Sequence, residues 1–283
     1  MKILSDFDGV LTNLTEEAER ARQLFDAYLF EIAGEEISRQ CIAAAQEKIR
    51  QSPHLNGWRS RGRVTAFADE DGFIYVNGLA ACLDDQAREP GLAADLLTQL
   101  RKIGLDQFSH LAGRAYAAMV RETESGRMKP MDEGAGRVLK ELIHRGHSIV
   151  VVSNSGTDRI RKILADSDVG EELRKQNGSI RIRGDARKFE LGEAAETLLV
   201  ENYTIPVDRP VYRNIILEER PDVVIGDVLS LDLALPIHLG GATRIFLRRR
   251  DYTPSWSLNF MEKRQKGAPG GILEQFDDLL ALA

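Results

Sequence analysis

Two hydrophobic periods divide this chain. Ser148-Ile149-Val150-Val151-Val152, Asp222-Val223-Val224-Ile225 and Thr243-Arg244-Ile245-Phe246-Leu247 are short, β-branched, nearly unbroken apolar runs, the pattern of strands buried on both faces. Ile3-Leu4 and Ser179–Arg183 predict two further short strands. Between them, helical spacing covers Asp132–Arg145, a stretch after Ser155, Pro210–Arg220 and Ile272–Leu282, with Gly267–Gly271 as a turn-rich connection. Strands alternating with helices predict an α/β fold with a parallel sheet and right-handed crossovers. The second period runs from Leu14 to Arg127. Thr15 is a candidate N-cap, with Glu16 and Glu17 in the first turn, and Ala21, Leu24, Phe25, Tyr28, Leu29 and Ile32 recur at helical spacing up to Gly34. Glu36–Ile49, Leu92–Ile103 and Gln107–Glu122 continue the helical pattern. Ser52–Gly78 is richer in Gly, Pro and Trp and predicts a loop region with a short strand at Phe73–Val76.

Four of the predicted strands run into polar clusters. Asp6-Phe7-Asp8-Gly9-Val10-Leu11-Thr12 follows the first. On a strand, residues two apart point to the same side, so Asp6 and Asp8 can converge on one small space beside a permissive glycine. Two carboxylates that close need a cation or a shared proton. Mg²⁺ suits them, because it takes oxygen ligands and completes its shell with water and phosphate. The other strand ends carry Ser153-Asn154-Ser155, Gly184-Asp185-Ala186-Arg187-Lys188, and Gly226-Asp227 followed by Ser230 and Asp232. In a parallel sheet these clusters share one rim.

Composition narrows the partners. The 283 residues suffice for one large domain or two smaller ones, and 43% apolar with 29% charged residues is ordinary for a globular chain. A net charge of −6 argues against a general nucleic-acid binder but allows a local basic pocket for an anion. No apolar run is long enough to predict a membrane span. Cys41 and Cys82 have no paired spacing, so a reducing, cytoplasmic setting is expected. Met1–Asp6 enters the acidic motif directly and leaves no room for a signal peptide.

With these residues in this order, the chain resembles the haloacid dehalogenase-like hydrolase superfamily. The four motifs of that family are Asp-x-Asp-x-x-x-Thr/Val, a strand ending in Ser/Thr, a lysine, and an aspartate-bearing strand end. Here they fall at Asp6–Thr12, Ser153-Asn154, Lys188 and Gly226–Asp232. Lys162 lies in a predicted helix and Lys175 in a charged stretch, which favours Lys188. The resemblance implies a Rossmann-like parallel sheet flanked by helices, built from residues 1–13 and 128–283. Residues 14–127 would form an inserted, mostly helical cap domain.

It further implies a Mg²⁺-dependent phosphatase acting on a small phosphorylated metabolite through an aspartyl-phosphate. Asp6 would be the nucleophile and Asp8 the general acid and base, its backbone carbonyl also on the metal. Asp227 would hold Mg²⁺ with Asp6, and Asp232 would support that site. Ser153 and Asn154 would meet the phosphoryl oxygens, and Lys188 would neutralise their charge. By the same resemblance, dehalogenase and phosphonate-cleaving members lack an acid two residues after the nucleophile, so Asp8 favours phosphate-ester hydrolysis or phosphoryl transfer. A phosphotransferase or sugar phosphomutase would use the same residues. A binding or regulatory protein that kept the fold is the reading from another class. The insert is expected to select the substrate, with Trp58, Arg59, Arg61 and Arg63 as candidate recognition residues.

Overall fold

The structure, a computed structural model, describes residues 1–126, 131–175 and 178–282. The chain opens with β1 (Lys2–Ser5). Next come α1 (Leu14–Ala33), α2 (Glu35–Gln51), β2 (Gly57–Ser60), β3 (Arg63–Phe67), α3 (Gly72–Gln86), α4 (Leu92–Lys102) and α5 (Phe108–Glu124). Then follow α6 (Ala135–His144), β4 (Ser148–Val152), α7 (Thr157–Ala165), α8 (Gly170–Arg174), β5 (Ile180–Arg183), β6 (Thr197–Val200), β7 (Tyr203–Pro206) and α9 (Pro210–Glu219). The chain ends with β8 (Val223–Gly226), α10 (Ala234–Leu239), β9 (Arg244–Arg248), α11 (Ser255–Arg264), β10 (Gly270–Leu273) and α12 (Leu279–Leu282). It divides into two compact units, Met1–Leu14 with Pro130–Ala283, and Thr15–Lys129. The return from insert to core that the sequence puts at Arg127–Met128 lies outside the described residues.

The first unit is built on a six-stranded sheet in the order β10-β9-β8-β1-β4-β5, every pair parallel. The chain passes from β1 to β4 and β5 on one side, then crosses to β8, β9 and β10 on the other. The order therefore reverses at β1, where ligands bind in open α/β sheets. Register sharpens this point. Ser5 lies opposite both Val151 and Ile225, so the loops after β1, β4 and β8 leave the sheet at nearly the same level. Ile3, Phe7, Val10, Leu11, Leu142, Ile149, Val151 and Ile225 share one buried apolar cluster, which anchors the acidic loop at its apolar positions.

The second unit is mostly helical. Phe25, Leu29, Ile42, Leu79, Leu83, Leu100 and Phe108 form its core, together with both free cysteines, Cys41 and Cys82. No helix among the described residues is long and apolar enough to cross a membrane.

Four expectations need correction. Thr15 lies inside α1, which begins at Leu14, rather than capping it. Phe73–Val76 is helical, inside α3, rather than a strand. Asp71 caps that helix by accepting from the Ile74 N–H at 2.7 Å, and burial of Ile74, Val76, Leu79 and Leu83 outweighs the strand preference of the aromatic residues. Trp58–Arg63 is a β-hairpin rather than a loop. Ser60 pairs with Arg63, and Arg61 and Gly62 between them have φ of 51° and 75°, as a two-residue hairpin turn requires. Ile272–Leu282 is not one helix: Gly270–Leu273 pairs with β9, and only Leu279–Leu282 is α-helical. A side chain at Gly270 would meet the Ile245 carbonyl at 1.9 Å, so this glycine lets the last strand approach the sheet edge. The β6–β7 hairpin, α8 and α11 have no counterpart in the predicted elements.

Leu142 is fully buried in the sheet-unit core. Leu142→Ala should cost about 2–5 kcal/mol in a denaturant melt; an unchanged midpoint would contradict this packing.

Candidate active site

The acidic loop takes its shape from alternation at the end of β1. The Asp6 N–H still donates to Ile225 O at 2.9 Å, which extends the strand pairing by one residue. Phe7 is fully buried in the core, so Asp6 and Asp8 must point the other way. The chain then curls: Leu11 N–H donates to Phe7 O at 2.9 Å, and Gly9 N–H donates to the Thr12 hydroxyl at 3.1 Å. Gly9 has φ of +80°, and a Cβ there would lie 2.0 Å from Asp227 Oδ2. Only glycine permits both the turn and the approach of the two loops.

Lys188 sits at the centre of the charge cluster. Its ammonium donates to Asp6 Oδ1 at 2.5 Å and to Asp232 Oδ1 at 2.9 Å, with the side chain only 1% exposed. The loop that carries it is fastened to the loop after β4. Ala186 N–H donates to Ser153 O, Asp185 N–H to Ser155 O, and Lys188 N–H to the Asn154 side-chain oxygen at 2.7 Å. Asp185 and Arg187 adopt φ of 53° and 48°, backbone strain concentrated beside the lysine.

Two fully buried side chains from the start of α9 complete the fastening. Arg209 donates to the carbonyls of Lys188 (2.6 Å) and Leu231 (2.9 Å), which ties the lysine loop to the Asp232 segment. Tyr212 donates to Asp232 O at 2.8 Å, and its ring centroid lies 5.4 Å from the Lys188 ammonium.

Electrostatics follow from this burial. Burial pushes the Asp6 carboxyl well above the usual carboxylate range; Lys188 opposes this, while Asp232 and Asp8 add to it. Burial works against the Lys188 charge, but Asp232 and Asp6 outweigh it and hold the amine above its ordinary value. Lys188 thus stays an ammonium.

One lysine faces three acids. Among the described residues, carboxylate oxygens of Asp6, Asp227 and Asp232 lie within 4.8 Å of one another, all three residues buried. This all-oxygen, anionic donor set fits a hard divalent cation such as Mg²⁺. Asp232 already accepts Lys188 on Oδ1 and Val228 N–H on Oδ2 at 3.1 Å, so it suits an indirect role, and Asp6 and Asp227 could hold an ion directly. Asp232 reaches back to the strand end through a π-helical turn, Leu229–Leu233, and a side chain at Gly226 would strike its Cβ at 2.3 Å.

Asp8 is gripped from the other side. Ser153 Oγ donates to its Oδ2 at 2.7 Å and Arg159 to its Oδ1 at 3.1 Å. Ser153 Oγ also accepts the Ser155 N–H at 2.9 Å.

Asp6, Asp8, Ser153, Asn154, Lys188, Asp227 and Asp232 are therefore brought together at one rim of the sheet. Trp58, Arg59, Arg61 and Arg63 belong to the second unit, where Arg59 is ion-paired with Asp85 at 2.7 Å. Trp58 and Arg59 line a cavity of about 460 Å³ whose charged lining is mixed, with Arg59 and Arg88 beside Asp84, Asp85 and Asp106.

Sequence reasoning missed Arg159, Arg209, Tyr212, Arg250 and Tyr252. Arg159 is buried beside Ile160 on α7, yet by spacing it is indistinguishable from Arg161. The others lie outside the four motifs.

Comparison with known proteins bears on the fold. No family model matches the chain, and no curated protein sequence matches it. Among solved structures, a Haemophilus somnus 129PT protein described as a predicted phosphoglycolate phosphatase superposes with a TM-score of 0.51 at 14% identity, over 99% of this chain and 96% of that one. A Bacillus subtilis HAD-hydrolase bound to magnesium gives 0.48 at 12% identity, over 99% and 97%. CbbY from Rhodobacter sphaeroides in complex with phosphate gives 0.45 at 15%, over 98% and 95%.

Lys188→Met would leave Asp6 and Asp232 buried without their counter-charge, and should destabilise the protein by about 3–5 kcal/mol at neutral pH. The deficit should shrink as pH falls, since protonating the carboxyls removes the repulsion. A pH-independent deficit in chemical denaturation would contradict the charge arrangement.

Proposed function

We propose that this chain, which has the haloacid dehalogenase-like hydrolase fold, is a Mg²⁺-dependent phosphatase that hydrolyses a small phosphorylated metabolite through an aspartyl-phosphate. One observation carries the reading: a nucleophile candidate, an acid two residues later, a buried lysine and a three-carboxylate cluster meet at the switch point of a parallel sheet.

The distances within the site support the following chemistry. Asp6 attacks the phosphorus and the ester oxygen leaves, so one P–O bond forms as another breaks. A carboxylate is a weak nucleophile, which makes positioning and charge neutralisation the main sources of rate. Asp6 and Asp227 would hold Mg²⁺, which when bound neutralises phosphoryl charge and offsets the repulsion among the acids. Lys188, within reach of Asp6, neutralises further charge at the transferring group. Asp8 gives its proton to the leaving alkoxide, then takes one from the water that attacks the aspartyl-phosphate. Arg159 and Ser153 keep the Asp8 carboxyl oriented for both transfers, and the Ser153 hydroxyl can turn to a phosphoryl oxygen when substrate arrives. Asn154 acts through Lys188, whose backbone it holds.

The inserted unit acts as the cap in this reading, excluding water and selecting the substrate. Trp58, Arg59, Arg61 and Arg63 on the β2–β3 hairpin are its candidate recognition residues, and a cytoplasmic metabolite is the expected partner.

A panel of phosphate esters, assayed with and without Mg²⁺, should reveal Mg²⁺-dependent release of inorganic phosphate. Asp6→Asn should abolish turnover, and Asp8→Asn should slow it by about 10²–10⁴-fold. No turnover of any ester, or an unchanged rate in Asp6→Asn, would overturn the proposal. Transfer to a second sugar hydroxyl without phosphate release would instead mark a phosphotransferase or mutase.

A further inference from the structure

We infer that the loop between β9 and α11 is part of the cation site, with Tyr252 positioning Asp227 and Arg250 positioning the acidic loop. This rests on the reading of Asp6, Asp227 and Asp232 as a cation site. None of the four sequence motifs contains either residue.

The loop is braced before it does anything else. Thr253 N–H donates to Arg250 O at 3.0 Å, and Arg250 N–H donates back to the Thr253 hydroxyl at 2.8 Å. From this closed turn two side chains reach the site. The Tyr252 hydroxyl donates to Asp227 Oδ2 at 2.7 Å. The Arg250 guanidinium donates to Gly9 O and, at 3.0 Å, to Thr12 O, and it pairs with Asp132 at 2.5 Å. One loop thus holds both the turn that sets the direction of Asp6 and Asp8 and the carboxylate that faces them across Gly9. A Cβ on Gly9 would lie 2.0 Å from Asp227 Oδ2 and 2.7 Å from the Tyr252 hydroxyl, so the three groups form one contact.

The physical consequence concerns ligand geometry. A carboxylate on a short side chain can rotate about two bonds, and Mg²⁺ demands near-ideal octahedral placement of its oxygens. The tyrosine fixes Oδ2 and thereby the direction of the whole carboxylate. Hydrogen-bond partners of this kind usually contribute about 10–100-fold to metal affinity. Arg250 does the same for the acidic loop through its carbonyls rather than its carboxylates.

The test uses Mn²⁺ as a paramagnetic stand-in for Mg²⁺, titrated into chelator-stripped full-length protein with free Mn²⁺ read by electron paramagnetic resonance. The proteins are wild type, Tyr252→Phe, Arg250→Lys and Asp227→Asn, each checked for folding by circular dichroism. Tyr252→Phe is expected to bind about 10–100-fold more weakly than wild type. Arg250→Lys, which keeps the charge beside Asp132 but loses the fork that spans two carbonyls, should weaken binding in the same direction. A merely structural role would lower the melting temperature and leave the affinity of the folded protein unchanged. If Asp227→Asn loses binding while both loop variants bind like wild type, the inference is overturned and the cation reading stands. If wild type binds no Mn²⁺, or Asp227→Asn binds as tightly as wild type, both are overturned.

Discussion

Lys188 carries a full charge at 1% exposure, and the surrounding structure exists in the form it does because that charge must be matched. Asp6 and Asp232 match it at 2.5 and 2.9 Å. A buried ion pair is costly to form and costlier to break, so all three groups must be held at one point. Asp6 comes from the end of β1, Lys188 from the loop after β5, and Asp232 from the turn after β8. Adding Asp227 leaves the cluster with more carboxylate than ammonium, and this excess is what makes a divalent cation the natural further occupant.

The fold meets that requirement through register and through close approach. Ser5 opposite Val151 and Ile225 brings three loops out together. Gly9 removes the side chain that would hold the acidic loop off Asp227, and Gly226 lets Asp232 fold back onto its own strand end. Arg209, wholly buried, ties the lysine loop to the Asp232 segment, and Arg250 ties the acidic loop to the loop after β9. These guanidiniums act on backbone carbonyls, the groups that set where a loop lies.

The core strands and the long helices were legible because their apolar spacing is uninterrupted. The acids at strand ends were legible through their order along the chain, which resembles a known set of motifs; Asp6 and Asp8 alone read equally well as a turn. The positioning residues were not. Tyr252 and Arg209 sit in segments with no hydrophobic period, and their importance comes from partners 25 and 21 residues away. Arg159 looks like any exposed helical arginine until α7 packs and buries it. Phe73–Val76 and Ile272–Leu282 misled for a related reason: their local preferences yielded to a cap on α3 and to an open sheet edge beside β9.

The central claim is that this cluster makes Asp6 a phosphoryl acceptor. The most direct measurement is acid-quenched turnover of an aryl phosphate in the presence of Mg²⁺, followed by mass spectrometry of the peptide that carries Asp6. The account predicts a hydroxylamine-sensitive phosphoryl adduct on Asp6, more abundant in Asp8→Asn, where loss of the general base slows its hydrolysis. Turnover without any adduct, or an adduct on another residue, would contradict it.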